Sequence, residues 1–255
     1  MNLNLLFELT KRDFADRYSG SILGRLWVFL WPLINMAVYM VVFAKVMGAK
    51  LPGSTYAHGY GVYLMAGLIP WTAFSQTIAR TSTVFLDKKP LISKVKMSLP
   101  TLPLYIVLSE SIVFFVSLLI YIVFLLVSGV GLGQSFVFVP LIFLAQQIFA
   151  YALGFLVATL QVFIRDLKEV VGVIIFIWFW LNPIVYVAAI LPEKIQSILV
   201  YNPSYWFIDA YQKIFIYQQA PNFTHLVYLV VLGHVILGVS YVLFKKLEKD
   251  VRDFL

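Results

Sequence analysis

Long apolar runs, separated by short stretches that are charged or rich in Gly and Pro, organise this chain. Between positions 22 and 44 Arg25 is the only charged residue, and about 20 predominantly apolar residues are enough to cross bilayer hydrocarbon as a helix. The pattern predicts membrane spans over 22–46, 60–83, 100–127, 136–164, 170–190 and 224–244. An outer-membrane barrel would show short segments of alternating polarity instead.

Three stretches depart from this pattern. Residues 2–18 read as an amphipathic helix in the membrane interface: Leu3, Leu6, Phe7, Thr10, Phe14 and Tyr18 share one stripe, and Glu8, Lys11, Arg12, Asp13 and Asp16 take the other side. The mixed charge of that side suits a protein neighbour better than lipid alone. Residues 86–98 carry Asp87, Lys88, Lys89, Lys94 and Lys96 and predict a short helix beginning near Pro90; a solvated, topology-setting loop fits the same residues. In 191–222 Pro192, Pro203 and Pro221 cut the chain into two pieces too short and polar for ordinary spans. These lie on the surface or dip in as a re-entrant hairpin, with Asn202 ahead of Pro203 as a helix start.

Composition agrees. Of the 255 residues 62% are hydrophobic and 12% charged, whereas soluble domains are about 25% charged. Six spans put both termini on one side, and all but Lys45, Lys50, Lys194 and Lys213 of the 19 Lys and Arg then fall on that side. By the positive-inside rule that side is the cytoplasm. The net charge of +7 therefore reports topology, and nucleic acid is not an expected partner. No Cys is present, which excludes disulfides and thiolate metal sites. The first apolar run is longer than a signal-peptide core, so no cleavable leader is expected.

Candidate chemistry is sparse. Trp27, Trp31, Asn35, Tyr39 and Phe43 recur every four residues and form one ridge on the first span. Helix packing or lipid anchoring accounts for such a ridge, and so does a wall along which a flat-faced, polar-edged ligand slides. The fifth span is aromatic again at Phe176, Trp178, Phe179, Trp180 and Tyr186, with a kink expected at Pro183. In the fourth, Ala150, Gly154 and Ala158 give a small-residue face for close helix contact. Glu110 is the one acid well inside a span, where it needs a counter-charge, water or a proton; a functional role and a structural partner both satisfy that need. No Gly-Lys dipeptide occurs, hence no Walker A phosphate cradle. The three His lack ligand spacing, and no catalytic cluster is visible.

The leader, the RYSGSILGRLW junction, the WPLINMAVYMVVF span, the basic loop and the YNPSYWFIDAYQ segment together resemble the type-2 ABC exporter permease family, within it the Wzm-type permeases that move lipid-linked O antigen. The resemblance covers nearly the whole chain. It implies a non-enzymatic, six-span subunit of the bacterial inner membrane that pairs with a second copy of itself. It also implies two separate nucleotide-binding ATPase subunits, which hold the ATP and Mg and leave this chain without a cofactor. Residues 2–18 and 86–98 would then seat on the ATPase as interface and coupling helices through Glu8, Arg12, Asp87, Lys88, Lys89 and Lys94. Residues 191–222 would be re-entrant near the periplasmic exit. Trp27, Trp31, Asn35, Tyr39, Phe43, Phe176, Phe179 and Tyr186 would line a polysaccharide channel. Teichoic acid, another glycolipid or a drug are alternative cargoes. An ion-coupled secondary transporter and a membrane enzyme acting on lipid-linked sugars are the rivals from other classes, weakened by the absence of clear inverted repeats, paired intramembrane charges and clustered carboxylates.

Overall fold

The computed structural model describes residues 3–17, 20–46, 48, 59–94 and 97–254, with the side chains of 25 and 43–45 outside that description. Among the described residues every regular element is a helix. Helix α1 (Leu3–Arg17) precedes α2 (Trp27–Tyr39), which widens into a π-helix over Met40–Val46. Helix α3 (Gly59–Asp87) runs into the single turn α4 (Lys89–Ile92), and then come α5 (Leu104–Val127), α6 (Val139–Gln161), α7 (Leu167–Trp180), α8 (Glu193–Leu199), α9 (Pro203–Tyr217) and α10 (Phe223–Phe254). Three of these, α5 and α6 with their short 3-10 leads and α10, are long and apolar enough to cross a membrane.

Helix α3 is the axis of the fold. It is buried along most of its length, on all sides over 59–71, as a helix enclosed by others is, and its second half is rich in Thr, Ser and Gln. Its Phe74 is fully buried and stacks on Phe149 of α6 at 5.7 Å, with Phe207 of α9 at 5.0 Å and Trp178 of α7 edge-on at 5.3 Å. One aromatic cluster thus joins four helices. On the α6 side the expected small-residue face makes the closest approach: a Cβ added at Gly154 would stand 2.6 Å from the Cβ of Thr81, and Ala150 and Ala158 are buried on either side.

A second core closes one end of the bundle, where Leu9 of α1, Val84 and Phe85 of α3, Ile92 of α4, Tyr105 of α5, Phe155 of α6 and Phe244 and Val251 of α10 pack together. The leader, the basic turn and the end of α10 therefore meet at the same end.

Four differences from the sequence reading have physical causes. First, α1 buries Leu9, Thr10 and Asp13 and exposes Leu3 and Phe7, because Asp13, assigned above to the polar side, pairs with Arg80 of α3. Second, the short helix expected within 86–98 is the one turn α4, with Pro90 in its first turn; Lys96 lies outside the described residues, as does Tyr18. Third, the last helix continues through the charged tail to Phe254.

Fourth, Pro183 does not kink a continuing helix. Helix α7 ends at Trp180 and the chain turns irregularly until a 3-10 turn at Ala188–Ile190. Irregular backbone inside a bundle must have its polar groups met by protein, and here it does. The Tyr63 hydroxyl donates to the Pro183 and Tyr186 carbonyls, Gln212 Nε2 to Pro183 at 2.9 Å, and Tyr60 to Val185. The fully buried Asn182 donates to the Trp178 carbonyl and accepts from Asn202 and Ser204 at the start of α9.

The tight α3–α6 contact yields a test. Gly154→Val forces the two helices apart and should destabilise the protein by about 1–3 kcal/mol, read as a lower apparent melting temperature of the detergent-purified protein. Gly238→Ala on α10, where nothing lies within 4 Å of the added methyl group, should leave that temperature unchanged or raise it slightly.

Candidate functional site: an aromatic groove and a buried ring of charge

Helices α2 and α7 each bury only a narrow stripe. Val28, Pro32 and Met36 face inward on α2, and Val171 alone is buried on α7. The two helices flank α3 and α5 and leave between them an open groove of about 470 Å³. Trp31, Asn35 and Tyr39 line it from α2, Phe176, Phe179 and Trp180 from α7. Its floor includes Met65, Leu68, Thr72, Ser75 and Gln76 of α3 and Glu110, Phe114 and Ser117 of α5. Trp71 of α3 holds the α7 wall, its ring centre 6.2 Å from that of Trp178 and 5.9 Å from that of Phe179.

Trp31, Phe176 and Trp180 are at least half exposed. An aromatic ring presents an apolar face with few rotatable bonds, so two such walls can sandwich a flat or chair-shaped group at little entropic loss.

Of the predicted wall residues, Trp31, Asn35, Tyr39, Phe176 and Phe179 come together in this groove. Trp27 and Tyr186 do not line it. The indole of Trp27 donates to Ser21 Oγ at 2.9 Å, and the Tyr186 hydroxyl donates to the Trp180 carbonyl at 3.0 Å within the irregular turn. The side chain of Phe43 lies outside the described residues, and its backbone belongs to the π-helix, whose wider winding breaks the every-four register beyond Tyr39. Trp180 was findable, since it follows Phe176 by four. Gln76 and Thr72 were not, because nothing in an apolar run says which face stays open.

At one edge of the groove sits Glu110, 3% exposed, whose Oε1 accepts from both Arg17 Nη2 and Arg80 Nη1 at 2.6 Å. The same two arginines bond Asp13, Arg17 at 3.0 Å and Arg80 through Nη2. Two acids and two bases thus form a closed, neutral ring that ties α1 to α3 and α5. Its parts were partly legible: Asp13 and Arg17 sit at i, i+4, and a carboxylate within a span demands a counter-charge. Which cations answer it depends on how the helices pack.

The residues expected to meet a partner all lie at the end closed by the second core. Glu8 and Arg12 are exposed on α1 and make no ion pair among the described residues, and Lys94 is likewise free and exposed. Asp87 accepts from Thr83 at 2.6 Å, Lys88 stands over the Tyr105 ring, and Lys89 Nζ donates to the Phe254 carbonyl at 3.0 Å. Arg252 reaches the Met97 carbonyl from the last turn of α10. Among the described residues no group of His, Cys or acidic side chains is placed to hold a metal ion.

An all-helical membrane protein with an aromatic groove and a charged face at one end is the setting in which the family match falls. The chain belongs to the ABC-2 type transporter family, which matches residues 4–216. It is similar along its whole length to curated relatives. An O-antigen export system permease protein RfbA of Klebsiella pneumoniae is 31% identical over 259 residues, covering 100% of this chain and 97% of the relative. The protein of the same name from Myxococcus xanthus is 30% identical over 255 residues, covering 98% of this chain and 94% of its own.

Breaking the ring should be costly in one direction only. Glu110→Leu leaves two arginines facing one carboxylate and should destabilise the protein by about 3–5 kcal/mol, whereas Glu110→Leu with Arg80→Leu should recover part of the loss. Thermal melts of the two purified variants check this. Asp13→Asn should loosen α1, seen as faster tryptic cleavage at the α1 to α2 junction.

Proposed function

We propose that this chain is the membrane permease subunit of an ATP-driven exporter that moves a lipid-linked polysaccharide of the O-antigen kind out of the cytoplasm. The names of full-length relatives support the cargo. The observation that carries the mechanism is the groove, with aromatic rings from two helices facing each other across a partly polar floor. Stacking tolerates many sugars, so successive units of a polymer pass without any one being held tightly.

In this reading α2 with its π extension, α3, α5, α6, α7 and α10 are the six spans, and α8 with α9 is the re-entrant pair near the periplasmic exit. Both termini are cytoplasmic, in the bacterial inner membrane. Two copies pair with their grooves toward a shared axis, and two separate ATPase subunits supply ATP and Mg chemistry, since this chain has no phosphate cradle. The ATPases seat on the exposed polar face of α1 and on α4.

The charged ring then has a mechanical role. Because Arg17 and Asp13 bond Glu110 and Arg80 directly, a pull on α1 by a closing ATPase pair is delivered to α3 and α5. The groove floor moves with them and the α2 and α7 walls separate.

Two experiments check this reading. Tyr39→Ala with Phe179→Ala should lower polymer export at least tenfold, the effect of losing two stacking contacts of about 1 kcal/mol each, while the complex still assembles; immunoblotting of surface polysaccharide measures the first and co-purification the second. Arg12→Glu with Lys94→Glu should reduce co-purification of the ATPase subunit. Wild-type levels of partner in that pull-down would move the docking face elsewhere.

A further inference from the structure

The most enclosed helix of the bundle opens at one place. From Gly59 to Leu86 of α3 only Thr72 and Gln76 are exposed, and both line the groove. Four residues apart, they lie on one face about 6 Å from each other along the axis. The same interval separates Trp31, Asn35 and Tyr39 on the facing wall, so a polar ladder and an aromatic ladder of equal pitch line one passage.

The polar ladder has capacity to spare. The Gln76 amide makes no hydrogen bond among the described residues. Asn35 spends Nδ2 on the Trp31 carbonyl at 2.9 Å and leaves Oδ1 unpaired among them. The Thr72 hydroxyl donates to the Leu68 carbonyl at 2.8 Å and can still accept. A face turned to lipid would not carry an open amide at mid-helix, since hydrocarbon satisfies none of its groups. A face packed against a second copy of this chain would pair such groups across the contact, an outcome that the cross-linking below separates from cargo. A groove of about 470 Å³ with mostly apolar walls and a few placed polar groups has the size and make-up of a small-ligand site.

We propose that the Thr72 and Gln76 face of α3, with Asn35 beside it, is the hydrogen-bonding floor of a glycan track: it reads sugar hydroxyls while the rings of α2 and α7 take the sugar faces. The inference rests on the exporter reading above and names the residues that select the cargo's polar edge. Selection by such a floor is sharper than by the walls. Stacking accepts any ring, but an amide covered by cargo and left unpaired by the wrong hydroxyl pattern penalises that sugar.

The test uses the full exporter in its own cells, with surface polysaccharide detected by antiserum. Thr72→Val with Gln76→Leu keeps shape and removes the bonding groups, and should lower export about tenfold, the loss expected for two hydrogen bonds. Thr72→Ser with Gln76→Asn, which keeps hydroxyl and amide, should stay within about threefold. A photo-cross-linking residue at position 76 should give adducts with the polysaccharide. Export unchanged in the Val/Leu variant, while wild-type protein exports normally, overturns the floor and leaves the exporter reading standing. Adducts with a second copy of the chain or with lipid alone overturn it too, and this readout holds even where the Val/Leu variant folds poorly. A wild-type chain that exports no polysaccharide removes the exporter reading and the floor with it.

Discussion

A carboxylate inside a membrane bundle imposes a condition that the rest of the protein has to meet. Glu110 sits in an apolar helix at 3% exposure, where an isolated charge is far more costly than in water. Two arginines meet the condition, one from the leader helix and one from the axis helix, and Asp13 balances the second positive charge. The pairing brings α1 against the bundle with a side chain that its amphipathic pattern had placed on the polar side. Removing any one member leaves an uncompensated charge, so the ring is an all-or-none connection.

This connection places the groove in mechanical contact with the face that carries Glu8, Arg12 and α4. Glu110 belongs to both, as a ring member and as a lining residue. The α2 and α7 walls are held less firmly, by thin buried stripes. Elements with few buried contacts are those that move at low free energy, so floor and walls differ in how firmly they are held.

Much of the fold was legible in the sequence because membrane hydrocarbon sets helix lengths and polar residues mark the ends. The runs around Leu104–Val127 and Val139–Gln161, the leader and the start of α9 at Asn202 follow from that. Gly154 was readable as a close contact from its small neighbours at four-residue intervals. Other features depend on three-dimensional partners. Pro183 ends α7 instead of bending it because Tyr60, Tyr63 and Gln212 are there to satisfy the freed carbonyls, and those lie about 120 and 30 positions away in sequence. Asp13 turned inward for the same kind of reason. Of the aromatic ridge, Trp31, Asn35 and Tyr39 kept their register, and the π-helix ended it.

Helix α10, lying beyond the family match, has 32 residues and so a length of about 48 Å, well over the roughly 30 Å of bilayer hydrocarbon. The surplus, some three turns, carries Lys245, Lys246, Lys249 and Arg252 and is pinned through Val251 to the basic turn. The apolar part of the helix, positions 223–244, is about 33 Å long and matches the hydrocarbon, so the charged turns stand clear of the lipid. There the pinned foot ties the end of α10 to the leader and the basic turn, and any tilt of this rod in the bilayer is felt at that end of the bundle.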